Sequence, residues 1–293
     1  MMSDPRYAKS AAWLARARAV TPGGAQTRSR AAASFVEGAM PAIIETASGA
    51  RVVDVDGHEY VDWIMGLGSV GIGHAERRVT GAAMRQLRCT GGSPSLPTRL
   101  EAELAEALCE VIPCAEMVRF VKTGSEATEA AMRIARVATG RDVILSVGYH
   151  GWHSVHDAAK PEHPGVPWEL ACPIVDLPYD DILALEQALD ARRVGRFIGV
   201  SASYGVAAVL LEPVLHEAPA PGYLQAVRDL CTKHGALLIF DEVVTGFRWA
   251  IAGAQEYFGV TPDLACFGKA MANGFPLAAV VGRRDLMEAG AGF

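Results

Sequence analysis

At 293 residues the chain exceeds the usual size of one compact core, which points to one large domain with an appendage or to two domains. Hydrophobic residues make up 51% and charged residues 20%, a balance that lets burial offset ordering entropy and so excludes a disordered chain. The formal net charge of −6, from 27 basic and 33 acidic residues with no dense basic block, lacks the footprint of a nucleic-acid binder and favours small-molecule chemistry.

Along the chain, the start "MMSDPRYAKSAAWLARARAV" is arginine-bearing and amphipathic, but its apolar core "AAWLA" is too short for a secretory signal, so a docking helix is expected. The loop "TPGGAQTRSR" follows, and residues 42–63 read as short strands joined by turns such as "VDGHE". Residues 1–70 are thus assigned to an N-terminal helix and a small β-rich segment, and residues 71–293 to a large domain. From about Ala75 helical patterns alternate with short apolar runs: a helix near 98–112, strand "VRFV", a helix over 125–139, strand "VILSV", and a helix over 180–193. The series continues with strand "AAVLLEP", a helix over 222–234, and strands "ALLIFDEV", "LACFG" and "AAVVG". That rhythm predicts an α/β domain, a mainly parallel sheet with helices on both faces.

No uninterrupted apolar run approaches the ~18 residues of a membrane span. The longest, "GVAAVLLEPVL", is broken by Glu212, so a soluble protein with no membrane partner is expected. The six cysteines form no C-x-x-C pair, which suggests reduced thiols in a cytoplasmic protein and neither zinc nor disulfides.

Ligands of open α/β sheets gather beyond the carboxyl ends of the strands, so the residues just after each apolar run carry the functional information. In "VRFVKTGSEATEAAMRIARVATGR" a strand leads through Thr123, Gly124 and Ser125 into a long helix. Free N–H groups at a helix start, with a glycine and a hydroxyl, make a phosphate cradle, and the same residues also read as an ordinary helix cap. In "GALLIFDEVVTGFR" an apolar strand ends on Asp241 and Glu242, and two adjacent carboxylates there need partners. Asp241 suits a protonated ring nitrogen; capping of a loop or pairing with Arg248 is the structural alternative. "SVGYHGWHSVH" crowds Tyr149, His150, Trp152, His153 and His156 into one strand exit. Metal ligation is disfavoured by the absence of a carboxylate or cysteine at a familiar spacing, whereas an aromatic ring there suits a flat cofactor or simple packing. In "CFGKAMANGFPLAAVVGR" one lysine, Lys269, stands in apolar company. Burial makes such an amine nucleophilic at neutral pH and suited to imine formation, unless it snorkels to solvent. Pyridoxal phosphate needs all four functions: a phosphate anchor, a carboxylate for its pyridine nitrogen, a stacking group and an imine-forming lysine.

At these residues the sequence closely resembles class III, fold-type I pyridoxal-phosphate aminotransferases, in the glutamate-1-semialdehyde aminomutase-like branch. The resemblance rests on "PGGAQTRSR", "VDWIMGLGSVGIGHA", "GSEATEAAMRIARVATGR", "YHGWH", "LLEPV", "LLIFDEVVTGFR" and "PDLACFGKAMANGFPLAAVVGR", in family order over nearly the whole chain. It implies that Lys269 forms the Schiff base and shuttles the proton, and that Asp241 pairs with the pyridine nitrogen. Gly124 and Ser125 would bind phosphate, with Tyr149 on one ring face and Val243 on the other. Arg30, at the family's entrance-loop arginine, would meet a substrate carboxylate. A homodimer and small-molecule amino-donor and carbonyl-acceptor substrates are also implied.

Three features depart from the family pattern. Lys122 and Thr123 stand where a small polar pair is usual, and "LHEAP", with His216 and Glu217, stands where the aminomutase branch has glycine and asparagine. The chain ends at Phe293, where members continue into a small C-terminal domain, so that domain is expected to be missing. The leading expectation is transamination. The alternatives are an internal aminomutase or racemase reaction on the same cofactor and, in another class, a non-catalytic scaffold of the same fold.

Overall fold

The computed structural model describes residues 4–92, 94–157, 165–167, 174–190 and 205–292. These fall into two compact units, residues 1–93 and 94–293, so the division lies well beyond the residue 70 expected above. The first unit contains helix α1 (Ala8–Val20), an antiparallel sheet of β1 (Ile44–Ser48), β2 (Arg51–Asp54) and β3 (Glu59–Val61), and helix α2 (Arg77–Thr90). The "VDGHE" turn forms because buried Asp54 accepts the backbone N–H groups of Asp56 (2.9 Å) and His58 (2.8 Å) and the Tyr60 hydroxyl (2.8 Å). Asp56 in turn accepts the N–H groups of Lys9 and Ser10, each at 2.8 Å, satisfying free donors in the first turn of α1.

The second unit is built on a seven-stranded sheet. Its strands are β4 (Met117–Val121), β5 (Val143–Val147), β6 (Ile174–Asp176), β7 (Val206–Leu211), β8 (Leu237–Asp241), β9 (Leu264–Phe267) and β10 (Ala278–Gly282), in the order β4-β10-β9-β8-β7-β5-β6. Its described helices are α3 (Arg99–Val111), α4 (Gly124–Thr139), α5 (Ile182–Leu189), α6 (Tyr223–His234), α7 (Ala254–Phe258) and α8 (Arg284–Ala289), beside a single turn at Ser154–Asp157. The helix expected over 180–193 is described over Ile182–Leu189, and residues 191–193 lie outside the described residues.

The sheet is mainly parallel, as its apolar runs predict, with β10 antiparallel to both of its neighbours. Chain length explains the reversal. Between Phe267 and Ala278 the link holds only a turn of 3-10 helix, too little for the crossover of a dozen or more residues that a parallel return requires. Because β4 pairs antiparallel with β10, and β10 with β9, strand β4 runs in the same direction as β9. The carboxyl ends of β4, β5, β7, β8 and β9 therefore open on one edge.

Helices cover both faces. On one, Leu238 and Phe240 pack with Leu224, Val227 and Cys231 of α6; on the other, Ile239 packs with Ala127, Ala131 and Ile134 of α4. The alanines along α4 let it lie close to the sheet, and the left-handed Gly140 (φ 63°) ends the helix. Phe240 is fully buried at the centre of the sheet, one residue before Asp241. Phe240→Ala is expected to destabilise the second unit by about 3–5 kcal/mol through lost burial and an unfilled cavity, read as a lower urea midpoint with unchanged slope.

Candidate active site

The exit of β4 is shaped by a capping box. The Glu126 carboxylate accepts the N–H groups of Lys122 (2.9 Å) and Thr123 (2.8 Å), while the Thr123 hydroxyl accepts the N–H of Glu126 (3.2 Å). Among the described residues this leaves the N–H groups of Gly124 and Ser125 without an acceptor at the start of a 16-residue helix. Capping and an anion cradle are thus compatible: Thr123 and Glu126 do the first, and Gly124 and Ser125 remain for the second. A Cβ at Gly124 would come within 2.9 Å of both methyls of Val243, so the absence of a side chain there is what allows the loop after β8 to close on this helix start.

The two carboxylates at the end of β8 have separate jobs. Glu242, fully buried, accepts the N–H groups of Ala254 and Gln255, both at 2.8 Å, and the Thr245 hydroxyl, so it caps α7. Burial pushes its carboxyl up and these hydrogen bonds pull it back. The structural alternative raised for this pair therefore applies to Glu242, with a helix start rather than Arg248 as partner. Asp241 does not join that cap. Its Oδ2 lies 2.8 Å from His150 Nδ1, both side chains being almost fully buried, and its Oδ1 accepts the N–H of Val243 at 3.1 Å. A carboxylate only accepts, so His150 Nδ1 carries the proton; its Nε2 is buried with no partner among the described residues.

Loop 148–156, after β5, is fastened from three directions. Gly151 (φ 120°) presses on Ser125 so closely that any Cβ would overlap that side chain. The Thr128 hydroxyl of α4 donates to the His150 carbonyl oxygen at 2.8 Å and meets His156 Nε2 at 3.1 Å. The N–H of Tyr149 donates to Glu212 Oε2, at the end of β7, at 2.8 Å. The Tyr149 ring, 60% exposed, is thus presented at this edge instead of being spent on the core. The histidines serve packing and orientation: His153 stacks on His156 with ring centroids 6.3 Å apart, and no group of three His, Cys, Asp or Glu able to hold a metal occurs among the described residues.

Lys269 opens a short 3-10 turn after β9 with φ 42°, a left-handed backbone that costs a lysine about 1–2 kcal/mol. Its side chain is partly buried rather than extended into solvent. Burial lowers the ammonium below the usual lysine range, partly offset by the negative charges of Asp241 and Glu212. Val243 adjoins the cluster: a Cβ on Gly124 would lie 2.9 Å from both of its methyls, and a Cβ on Gly268 would meet them at ordinary contact distance.

The second unit thus brings together Lys269, Asp241, Gly124, Ser125, Tyr149 and Val243 on the exits of β4, β5, β8 and β9. Arg30 belongs to the first unit, exposed on a 3-10 turn over Arg28–Arg30. The sequence reading named His150 only among the clustered histidines and Glu212 only as the charge that breaks an apolar run, and gave neither a role in the site. The signal was present for both: His150 directly follows the aromatic residue, and Glu212 ends an apolar strand as Asp241 does. Cys89, Cys109, Cys114, Cys231 and Cys266 are free thiols, and Cys172 lies outside the described residues. No described helix is long and apolar enough to cross a membrane.

A sheet of this order, with a lysine, a buried aspartate and a helix start converging on one edge, defines a fold-type I pyridoxal-phosphate transferase domain. The chain belongs to the class III aminotransferases, whose family model matches residues 33–292. It is 39% identical to a 3-aminobutyryl-CoA aminotransferase from Cloacimonas acidaminovorans, over 98% of this chain and 68% of that protein. It is 40% identical to a glutamate-1-semialdehyde 2,1-aminomutase from Roseiflexus castenholzii, over 96% of this chain and 65% of that protein. Among solved structures it superposes on the pyridoxal-phosphate internal aldimine form of FumI from Sphingopyxis sp. MTA144 with a TM-score of 0.87 and 30% identity, covering 98% of this chain and 67% of that one. An omega-transaminase from Sphaerobacter thermophilus gives 0.83 and 32%, covering 95% and 64%. The chain thus spans about two thirds of the length of these relatives.

The family's cofactor is pyridoxal phosphate, and the donor set fits it: two unclaimed N–H groups for the phosphate, a carboxylate for a protonated ring nitrogen and a half-buried amine for the aldehyde. In the ligand-free protein the buried ammonium and its left-handed backbone both oppose stability. Because the folded pKa of Lys269 lies below its unfolded value, the cost is full below the folded pKa and falls as pH rises through it toward 10.5, the range where the unfolded chain binds more protons. Lys269→Met is therefore expected to raise the melting temperature of the ligand-free protein at pH 7, by about 2–4 °C for each kcal/mol recovered, with the gain shrinking at high pH in a calorimetric series.

Proposed function

We propose that the protein is a pyridoxal-phosphate-dependent aminotransferase acting on a small-molecule amino donor and a carbonyl acceptor. One observation carries the reading: Lys269, Asp241 and the start of α4 open on the same sheet edge, with Val243 after β8 closed on Gly124 at the helix start. When bound, the cofactor supplies an aldehyde for the lysine amine and a ring that absorbs negative charge from the substrate carbon.

The chain's own residues account for the rest. Burial lowers the Lys269 ammonium below its usual range, which would favour the free amine needed to meet the cofactor aldehyde and would suit that amine, when released, to hold and move a proton at the substrate carbon. Asp241 would pair with the ring nitrogen; His150 and the Val243 N–H hold its two oxygens and so fix its direction. Gly124 and Ser125 would offer their N–H groups to the phosphate, where the positive end of the helix dipole would add to the attraction. Tyr149 would cover one face of the ring and Val243 the other.

A second reading keeps the site and makes the reaction internal, as an aminomutase; the 40% identity to the Roseiflexus castenholzii protein supports it. Isomerisation of a single substrate with no added keto acid would favour it over transamination. The reading also includes a homodimer in the cytoplasm, supported by exposed apolar side chains such as Trp63 (85% exposed) and by the sparse, unpaired cysteines. Light scattering that returned a monomer would count against the dimer.

The test is borohydride reduction of the protein with added pyridoxal phosphate, followed by peptide mass spectrometry. Covalent capture at Lys269, lost in Lys269→Ala, is expected; no capture by the wild type would remove the proposal. Asp241→Asn is expected to retain capture while lowering turnover by about 10²-fold or more, since the ring nitrogen loses its charged partner.

A further inference from the structure

Glu212 lies at the end of β7, beside the proposed site, and none of the roles above requires it. Its Oε2 accepts the N–H of Tyr149 at 2.8 Å, and its backbone N–H donates to the Val147 carbonyl oxygen at 3.0 Å, so it ties the exit of β7 to the exit of β5. The side chain crosses directly over Gly148 (φ 113°), where a Cβ would stand 2.6 Å from Oε2 and 3.1 Å from the Glu212 Cβ and Cγ. The space for this carboxylate is thus made by a glycine that the backbone conformation also favours. Asp241, His150 and Lys269 act electrostatically on the Glu212 carboxylate. Its own carboxyl is pushed up, first by burial and then by Asp241, against the pull of the Tyr149 N–H, His150 and Lys269.

We propose that Glu212 is a positioning residue of the candidate site, which clamps the Tyr149 backbone so that the ring stands at the edge where the cofactor is proposed to bind. The proposal rests on the reading of this edge given above, but the clamp belongs to the ligand-free chain, and substitution separates the hydrogen bond from the charge. Glu212→Gln keeps an oxygen for the Tyr149 N–H and removes the charge. Glu212→Ala removes both.

Hydrogen exchange on the protein without cofactor tests it, through the protection of the Tyr149 amide. That amide is expected to exchange as in wild type in Glu212→Gln, which keeps the acceptor, and at least about tenfold faster in Glu212→Ala, as an unclamped surface amide would. Equal protection in Glu212→Ala and wild type, or protection lost as fully in Glu212→Gln as in Glu212→Ala, would overturn the proposal. Failure of borohydride capture at Lys269 would instead overturn the cofactor reading, because the exchange measurement does not use the cofactor.

Discussion

The hydrogen bond between His150 and Asp241 holds the site together, because it gives a buried carboxylate at a strand end its partner from another strand exit. A carboxylate at the end of a strand whose neighbouring residues are fully buried loses water on nearly every side, and an unpartnered one would be expelled or protonated. His150 reaches it at 2.8 Å from a different strand exit, and the Val243 N–H takes the other oxygen. The bond therefore joins β5 to β8 beyond the end of their shared sheet. His150 can reach only because the loop after β5 is drawn down on α4 by Gly151 and Thr128, so the aspartate, the aromatic loop and the helix start hold their places as one assembly.

Much of this was legible in the chain itself. The strands β5, β7, β8 and β9 are short apolar runs whose burial on both faces is the reason they lack the alternation of a half-exposed sheet, while β4, at the sheet edge, is half-buried throughout. Lys269, Asp241, Gly124 and Tyr149 stand just past those runs, where open α/β sheets bind ligands. Two things were hidden. The antiparallel β10 reads like any other apolar strand, and only the length of its link to β9 distinguishes it. The unit boundary was hidden as well, because α2 has the helical pattern of the large domain yet belongs to the first unit, and amphipathicity does not say against which partner a face is buried.

The roles of His150 and Glu212 were missed for a related reason. Each acts through a partner distant in sequence, His150 on Asp241 and Glu212 on Tyr149, and a single sequence gives no sign of such pairs. Glycines carried more of that information than the polar residues did. Gly124, Gly148 and Gly151 each mark a place where the site must close on itself: Val243 against the helix start, Glu212 over the β5 exit, and the aromatic loop against Ser125.

Three carboxylates at this edge also show how structural and functional charges differ in one protein. Glu242 is fully buried and meets three donors, two of them N–H groups at the start of α7, and nothing about it is left over for a ligand. Asp241 is held by two donors from the side, which fixes its direction without exhausting the acceptor capacity of its oxygens. Glu212 takes one N–H and feels the charges of Lys269 and Asp241, so its charge is the most responsive of the three to its surroundings. The order of decreasing satisfaction, from Glu242 to Asp241 to Glu212, runs from a cap through a fixed electrostatic partner to a group able to adjust. Lys269 shows the same logic with the opposite sign: burial makes the amine less basic and the negative charges of Asp241 and Glu212 make it more so, with burial the larger effect.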